Sequence, residues 1–185
     1  TAVYRDINNQ IIAKKEINYS TNKSAPDLNF INEQTGVIAS VNINEQVNIS
    51  YRASFSRRLK KNNFPVINNL VVDSGFHYFI KQFWPELMLN KKLSVNYVSP
   101  SKLGIIPLVI KLHQDEVWER PNTVVFIVEP ASFILQLFVP PIFLRYDINS
   151  QQLLSFQGIS NIKFKSGKKH VRLEIDYNVT DKVKI

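Results

Sequence analysis

The stretch Val37-Ile38-Ala39-Ser40-Val41-Asn42-Ile43-Asn44-Glu45-Gln46-Val47-Asn48-Ile49-Ser50-Tyr51 decides the fold class. Successive side chains of an extended chain point to opposite faces, so Val37, Ala39, Val41 and Ile43 share one face. After Asn44-Glu45, the residues Val47, Ile49 and Tyr51 resume the same period. An amphipathic helix would repeat its apolar residues every three and four positions instead. Two-fold alternation on both sides of a short polar pair predicts a β-hairpin, although Asn-Glu is a weaker turn than Asn-Gly.

The same period recurs in both directions. Toward the N-terminus, Val3–Asp6 and Ile11–Ser20 read as strands around the turn Asn8-Asn9. Toward the C-terminus, Leu93, Val95 and Tyr97 make a strand, and Ile106, Leu108, Ile110 and Leu112 make the next. Pro107 lacks an N–H for a sheet ladder and predicts an edge or a bulge there. Val124 to Val128 is apolar at every position, the composition of a strand covered on both faces. Ile142–Asp147 and Gln152–Gln157 form a further hairpin around Asn149-Ser150. Val171, Leu173, Ile175 and Tyr177 alternate with Arg172, Glu174 and Asp176, and Asn161–Lys165 is the expected hairpin partner of that strand. No strand–helix–strand rhythm exists, so the sheet is expected to be antiparallel. The expectation is a mainly β, α+β chain: a curved antiparallel sheet or incomplete β-barrel of about ten strands with two helices covering its concave face.

Those helices interrupt the alternation. Behind Asp73-Ser74, either of which can N-cap a helix, Phe76, Phe79, Ile80 and Phe83 recur at i, i+3, i+4 and i+7. Pro85 predicts a stop or kink, with Glu86–Leu89 as a last turn. The second helix is read over Ala131–Val139, where only Ser132 and Gln136 are polar. Such a segment is expected either buried on most sides or facing a lipid-like partner, and Pro140-Pro141 ends it.

Composition narrows the function classes. The chain has 185 residues, 44% of them hydrophobic, which excludes a disordered tail. A chain of this length buries about 70% of its unfolded surface, so one domain spanning residues 1–185 is expected. Absence of cysteine excludes thiolate zinc sites, thiol catalysis and disulfides. The longest apolar region, Thr123–Leu144, is interrupted by Glu129, Pro130, Pro140 and Pro141, so no membrane-spanning helix is expected. Net charge is +8, with basic pairs at Lys14-Lys15, Arg57-Arg58, Lys60-Lys61 and Lys91-Lys92 and a run from Lys163 to Arg172. This balance suits an anionic surface in general, or simply a solvated exterior.

The residue patterns for chemistry are sparse. His77 follows Asp73 by four, a spacing that can orient an imidazole, but Asp73 is better explained as a cap. His113 with Asp115, Glu116 and Glu119 has metal-ligand types, yet Arg120 four after Glu116 reads as a helical ion pair on a solvated connector. His170 belongs to a basic run beside a turn. Tyr51, Arg52, Phe55, Arg57, Arg58, Lys60, Lys61 and Phe64 interleave rings and cations as a nucleic-acid binder would, or form a strand end and a basic loop. No phosphate loop, dinucleotide fingerprint, zinc-peptidase helix or calcium loop occurs. No catalytic residue, metal or cofactor is assigned. The remaining reading is an apolar ligand held between the sheet and its cover helices by Phe76, Phe79, Ile80 and Phe83 of the first helix and Phe133, Ile134, Leu137 and Phe138 of the second. A filled core without a cavity is the plain alternative.

A group of local motifs resembles a known family. They are Leu70-Val71-Val72-Asp73-Ser74-Gly75-Phe76 continuing through Phe79-Ile80 and Trp84 to Leu87; Ser99-Pro100-Ser101 with Leu103; Val128-Glu129-Pro130; Leu144 with Tyr146-Asp147; Phe156-Gln157-Gly158-Ile159-Ser160-Asn161-Ile162; and Tyr4-Arg5-Asp6 with Ala13 and Lys15-Glu16. Together they resemble exported proteobacterial proteins without an assigned activity, whose expected fold is similar to the open, incomplete barrel of the lipoprotein carrier LolA. The resemblance implies a periplasmic or outer-membrane-associated location, a concave sheet covered by helices, an acyl chain or other lipid as the possible ligand and a possible envelope protein partner. It implies no site residue. Pro85 departs from the continuous helix such a fold would carry. The function expected on these grounds is non-catalytic binding of a lipid-like or other apolar ligand, with a structural or interaction module of the envelope and a basic nucleic-acid-binding domain as alternatives.

Overall fold

The hairpin at residues 37–52 forms as strands β4 (Ile38–Ile43) and β5 (Gln46–Arg52), with Val41 opposite Ile49 and Ala39 opposite Tyr51. Ile43 pairs with Val47, so the connection runs from Asn44 to Gln46, one residue longer than the pair Asn44-Glu45 suggests. The computed structural model describes residues 1–6, 8–114, 120–159 and 172–177.

Around that hairpin the first half of the chain builds an antiparallel meander of six strands in sequence order. Its other members are β1 (Ala2–Arg5), β2 (Ile11–Asn18), β3 (Asp27–Asn32) and β6 (Lys60–Pro65). The second half builds a seven-stranded sheet in the order β13-β12-β11-β10-β9-β8-β7. These strands are β7 (Leu70–Val71), β8 (Leu93–Ser99), β9 (Gly104–His113), β10 (Thr123–Pro130), β11 (Ile142–Asp147), β12 (Leu153–Ile159) and β13 (Arg172–Asp176). All neighbours are antiparallel except β7 and β8, which run parallel. The mainly β expectation holds, but the described residues form thirteen strands in two open sheets rather than about ten in one. Three of the additional strands escape an alternation search: β3, β6 and β7. The segment Lys60–Pro65, read as a basic loop, pairs with β5 from Tyr51↔Lys60 to Gln46↔Pro65. β13 pairs with β12; the expected partner, Asn161–Lys165, lies outside the described residues.

Pro107 lies inside β9, a central strand, but its level is beyond the end of β10, where the last pair is Pro130 with Leu108. At that level β8 is the one strand neighbour, so the missing N–H breaks no second ladder. β10 is buried along both faces, as its unbroken apolar run predicts.

Two short helices connect β7 to β8 within the second sheet. A 3-10 turn at Asp73–Gly75 leads into α1 (Phe76–Gln82), and α2 (Trp84–Met88) follows with Pro85 in its first turn. Pro85 kinks the path at Phe83, as read, because a proline is tolerated in a first turn but not within a helix. No side chain caps α1: its N-cap is Gly75, and Asp73 is engaged elsewhere. Phe79, Ile80, Trp84 and Leu87 pack on one face of the second sheet against Val95, Ile110, Phe126 and Tyr146. Trp84 meets Phe126 and Tyr146 edge-on at 5.2 and 5.6 Å. The layer between helices and sheet is therefore built of side chains in mutual contact at that point.

A second core joins the sheets. Leu28, Val41, Val47 and Ile49 of the first sheet pack with Leu70, Val72 and Val98 beside the second. A third, smaller core holds Ala13, Phe30, Val37 and Ala39 with Tyr4 and Tyr51.

The second expected helix departs most from its reading. Only Phe133–Gln136 is helical (α3), a single turn at the tip of the β10–β11 connection. Its residues are exposed rather than buried. Apolar composition makes a helix worth forming only when something buries it, and no core cluster includes any residue of this turn.

Candidate functional site

Three places concentrate chemistry or unpartnered surface. The first is polar and lies where β2 of one sheet meets the start of α1. Lys15 Nζ donates to Asp73 Oδ1 at 2.7 Å, across 58 residues of chain, with both side chains largely buried. Asp73 Oδ1 also accepts from Ser74 N. Asp73 has a φ of 46°, left-handed backbone that a non-glycine residue adopts at a cost. Asp is among the residues that tolerate it best, because its carboxylate can bond locally.

Tyrosines surround the pair. Burial by itself pulls the Lys15 ammonium down, but the Asp73 carboxylate and a hydrogen bond with Tyr4 outweigh it, so the pKa ends well above the ordinary lysine value. Burial pushes the Tyr97 hydroxyl up, and the negative charge of Asp73 adds to that. Tyr177 is raised by burial as well, although its ring is partly open to solvent. The buried Tyr146 hydroxyl has no hydrogen-bond partner among the described residues, and its pKa rises through burial and the nearby Tyr177.

His77 is not oriented by Asp73. No hydrogen bond joins them; the imidazole stacks on Tyr146 with ring centroids 5.7 Å apart and planes 2° apart. Its Nδ1 is buried without a partner among the described residues. Burial, reinforced by the Lys81 ammonium, lowers its pKa. A lysine held protonated is neither nucleophile nor base, and a histidine without an orienting acid lacks the second half of a catalytic pair. The cluster is an ion pair that fixes β2 to the entry of α1. Nothing in the motif content of the sequence indicates it, because Lys15 and Asp73 meet only through the tertiary fold.

The second place is a half-open groove of about 260 Å³. Phe79 and Gln82 of α1 and the following Phe83 line it together with Ile43, Leu70, Asn22 and the segment Val66-Ile67-Asn68-Asn69. Of the residues assigned to an apolar ligand, Phe79 and Phe83 reach this groove. Ile80 is fully buried in the helix–sheet core, and Phe76 stacks on Tyr97 at 5.6 Å, so neither lines an opening of it.

The third place is the β10–β11 turn. Phe133, Ile134, Leu137 and Phe138 are 73%, 68%, 68% and 78% exposed. The structure thus separates the eight residues read as one ligand site into core, groove and solvent-facing turn, and does not bring them together around a common cavity.

The other sequence-level constellations resolve as follows. Tyr51 packs into the third core and Phe64 against the second, while Arg52 Nε donates to Gly36 O at 2.9 Å. Rings and cations in that stretch therefore do not alternate along one open surface. His113 meets Phe143 edge-on at 5.2 Å; Asp115, Glu116 and Glu119 lie outside the described residues, as does His170. Among the described residues no three His, Asp or Glu gather as metal ligands. None of the described helices is long and apolar enough to cross a membrane. Comparison of the chain with protein-family models, with curated proteins and with solved structures returns no match.

Proposed function

We propose that the protein is a non-catalytic binding protein of the cell envelope that engages an apolar, lipid-like partner. One observation carries the reading: the β10–β11 turn presents its large apolar side chains to solvent while the cores form without them. The two phenylalanines, at about 200 Å² each and some three-quarters exposed, offer about 300 Å² between them, as much as the largest apolar patch of many soluble monomers. Covering that area is worth about 7 kcal/mol before the entropic cost of association. The polar cluster supports the non-catalytic half of the reading, since Lys15 is held as an ion pair and His77 lacks an orienting acid. The likeness of the Leu70–Leu87 and Phe156–Ile162 motifs to exported proteins supports the envelope as its setting.

Retention on a phenyl matrix tests this reading. The full chain is expected to bind, and the double variant Phe133→Ser/Phe138→Ser to elute early with an unchanged melting temperature. Equal retention of the two would defeat the reading.

The groove favours a second, narrower reading, in which one apolar arm of a ligand enters between α1 and the 66–70 segment. Its volume falls just short of the roughly 300 Å³ at which ligand pockets usually begin, which suits one arm better than a whole lipid. Ile67→Glu, a partly exposed lining position, is expected to abolish uptake of a fluorescent fatty acid; uptake at the original level would remove the groove from consideration.

A further inference from the structure

We infer that the occupant of the β10–β11 turn is the surface of an anionic lipid bilayer, into which residues 133–139 insert. The inference rests on the reading of this turn as a docking element and names what it docks on. Three features favour hydrocarbon over a protein socket or a second copy of the chain.

The first is that the turn is apolar on every side. Phe133, Ile134 and Leu135 in the single helical turn and Leu137, Phe138 and Val139 in the bend that follows it are all at least 41% exposed. A groove on a partner protein reads a helix from one side, through a stripe of anchors. A fluid bilayer surrounds whatever enters it.

The second is how the turn handles its polar groups. Hydrocarbon offers no partner to N–H or C=O groups, so an inserted segment must satisfy them internally. Gln136 folds back and its Nε2 donates to Pro130 O at 2.7 Å. Backbone amides of Ala131, Gln136, Phe138 and Val139 donate to Pro107, Ser132, Leu135 and Leu135 carbonyls respectively, whereas those of Phe133, Ile134 and Leu135 have no capping side chain and need headgroup or water oxygens, which sets the turn at the interface rather than deep in the hydrocarbon. Residues 130, 140 and 141 are prolines and have no N–H.

The third is charge. No Asp or Glu occurs from residue 130 to residue 146. At the same end of the sheet, Lys102 is exposed in the Pro100–Lys102 turn before β9, the strand whose Pro107 holds Ala131. An apolar tip with an exposed lysine beside its base, on a chain of net charge +8, matches a membrane interface with anionic headgroups, to which each Lys or Arg near the surface adds attraction.

Flotation of the full chain with unilamellar vesicles tests the inference. Vesicles of phosphatidylcholine alone are compared with vesicles one-third phosphatidylglycerol, at low and high NaCl. Partition is expected to be at least about tenfold stronger on the anionic vesicles at low salt, falling as salt screens the headgroups. The indole introduced by Phe133→Trp is expected to shift to the blue and to be quenched by lipids brominated in the acyl chain, measured against the unsubstituted protein. Phe133→Ser/Phe138→Ser is expected to remove flotation. Absence of flotation, or flotation unaffected by the double variant, overturns the inference. If the turn still governs retention on the phenyl matrix while vesicles are ignored, the bilayer is wrong and the docking reading stands. A turn-dependent dimer in sedimentation velocity, without vesicle binding, likewise overturns the bilayer in favour of a second copy.

Discussion

Lys15 and Asp73 show how one residue pair ties the two halves of the chain together. A buried ion pair is not strongly stabilising by itself, but removing one partner leaves the other charged and desolvated. Lys15→Met is therefore expected to cost about 3 kcal/mol. Lys15→Met/Asp73→Asn is expected to recover most of that loss, because Asn tolerates the left-handed backbone at position 73 and carries no charge. Denaturant midpoints of the two variants decide the point; a double variant no more stable than the single one would mean that the pair matters through geometry rather than charge. His77 makes a second residue-scale prediction. Burial holds its pKa below the ordinary value of 6.5, so the unfolded chain binds the proton more tightly than the folded one. Its contribution is therefore present above pH 6.5 and is lost as pH falls through the folded value. A smaller drop in melting temperature between pH 7.5 and 5.5 is expected for His77→Phe, which keeps a ring against Tyr146. An identical drop would place the acid sensitivity elsewhere.

Elements differ in how openly the sequence announces them. The β4–β5 hairpin is legible because each buried residue alternates with a polar one, and β10 because its run is apolar at every position. The stripe Phe76, Phe79, Ile80, Phe83 is legible for the same reason at helical period, and Pro85 places the kink. β6 has one apolar residue in Phe64, and β7 has two residues in all, so neither has a period to read. β3 hides its face behind the buried Asn32. The turn at 131–141 is misread as a long helix because composition reports what a segment would bury, not whether a neighbour is there to bury it. Its exposed apolar residues still carry the candidate site, whereas the Lys15–Asp73 contact has no local signature at all. The placement of α1 depends on Gly75. Its φ is ordinary, but a Cβ there would sit 1.9 Å from Ser24 O, whose carbonyl also accepts from Val72 N at 3.1 Å. Gly75→Ala is expected to displace the 22–26 loop from the helix entry and cost about 2 kcal/mol. Thermal melting measures it; a variant as stable as the original would show that the loop yields freely.

Across the whole molecule, the question is whether two sheets separated in sequence behave as one cooperative unit. Their shared core draws Leu28, Val41, Val47 and Ile49 from the first sheet and Leu70, Val72 and Val98 from the region of the second, and the Lys15–Asp73 pair and the Gly75–Ser24 approach bridge the same seam. Small domains whose cores are continuous unfold in a single transition. The chain has a built-in probe for this, because one of its two tryptophans, Trp84, lies in the helix–sheet core of the second half, away from the first sheet. In a Trp118→Phe background its fluorescence reports the second sheet, while far-ultraviolet circular dichroism reports both. Phe30→Ala, a truncation in the third core, whose members all belong to the first half of the chain, at a site 7% exposed, removes packing worth about 3 kcal/mol. If the seam couples the sheets, the Trp84 transition moves to lower denaturant by the same amount as the dichroism, and the two curves remain superimposed. A Trp84 midpoint that stays in place while part of the dichroism signal is lost earlier would show two units folding separately, with the seam a weak contact and the β10–β11 turn mounted on the second unit alone.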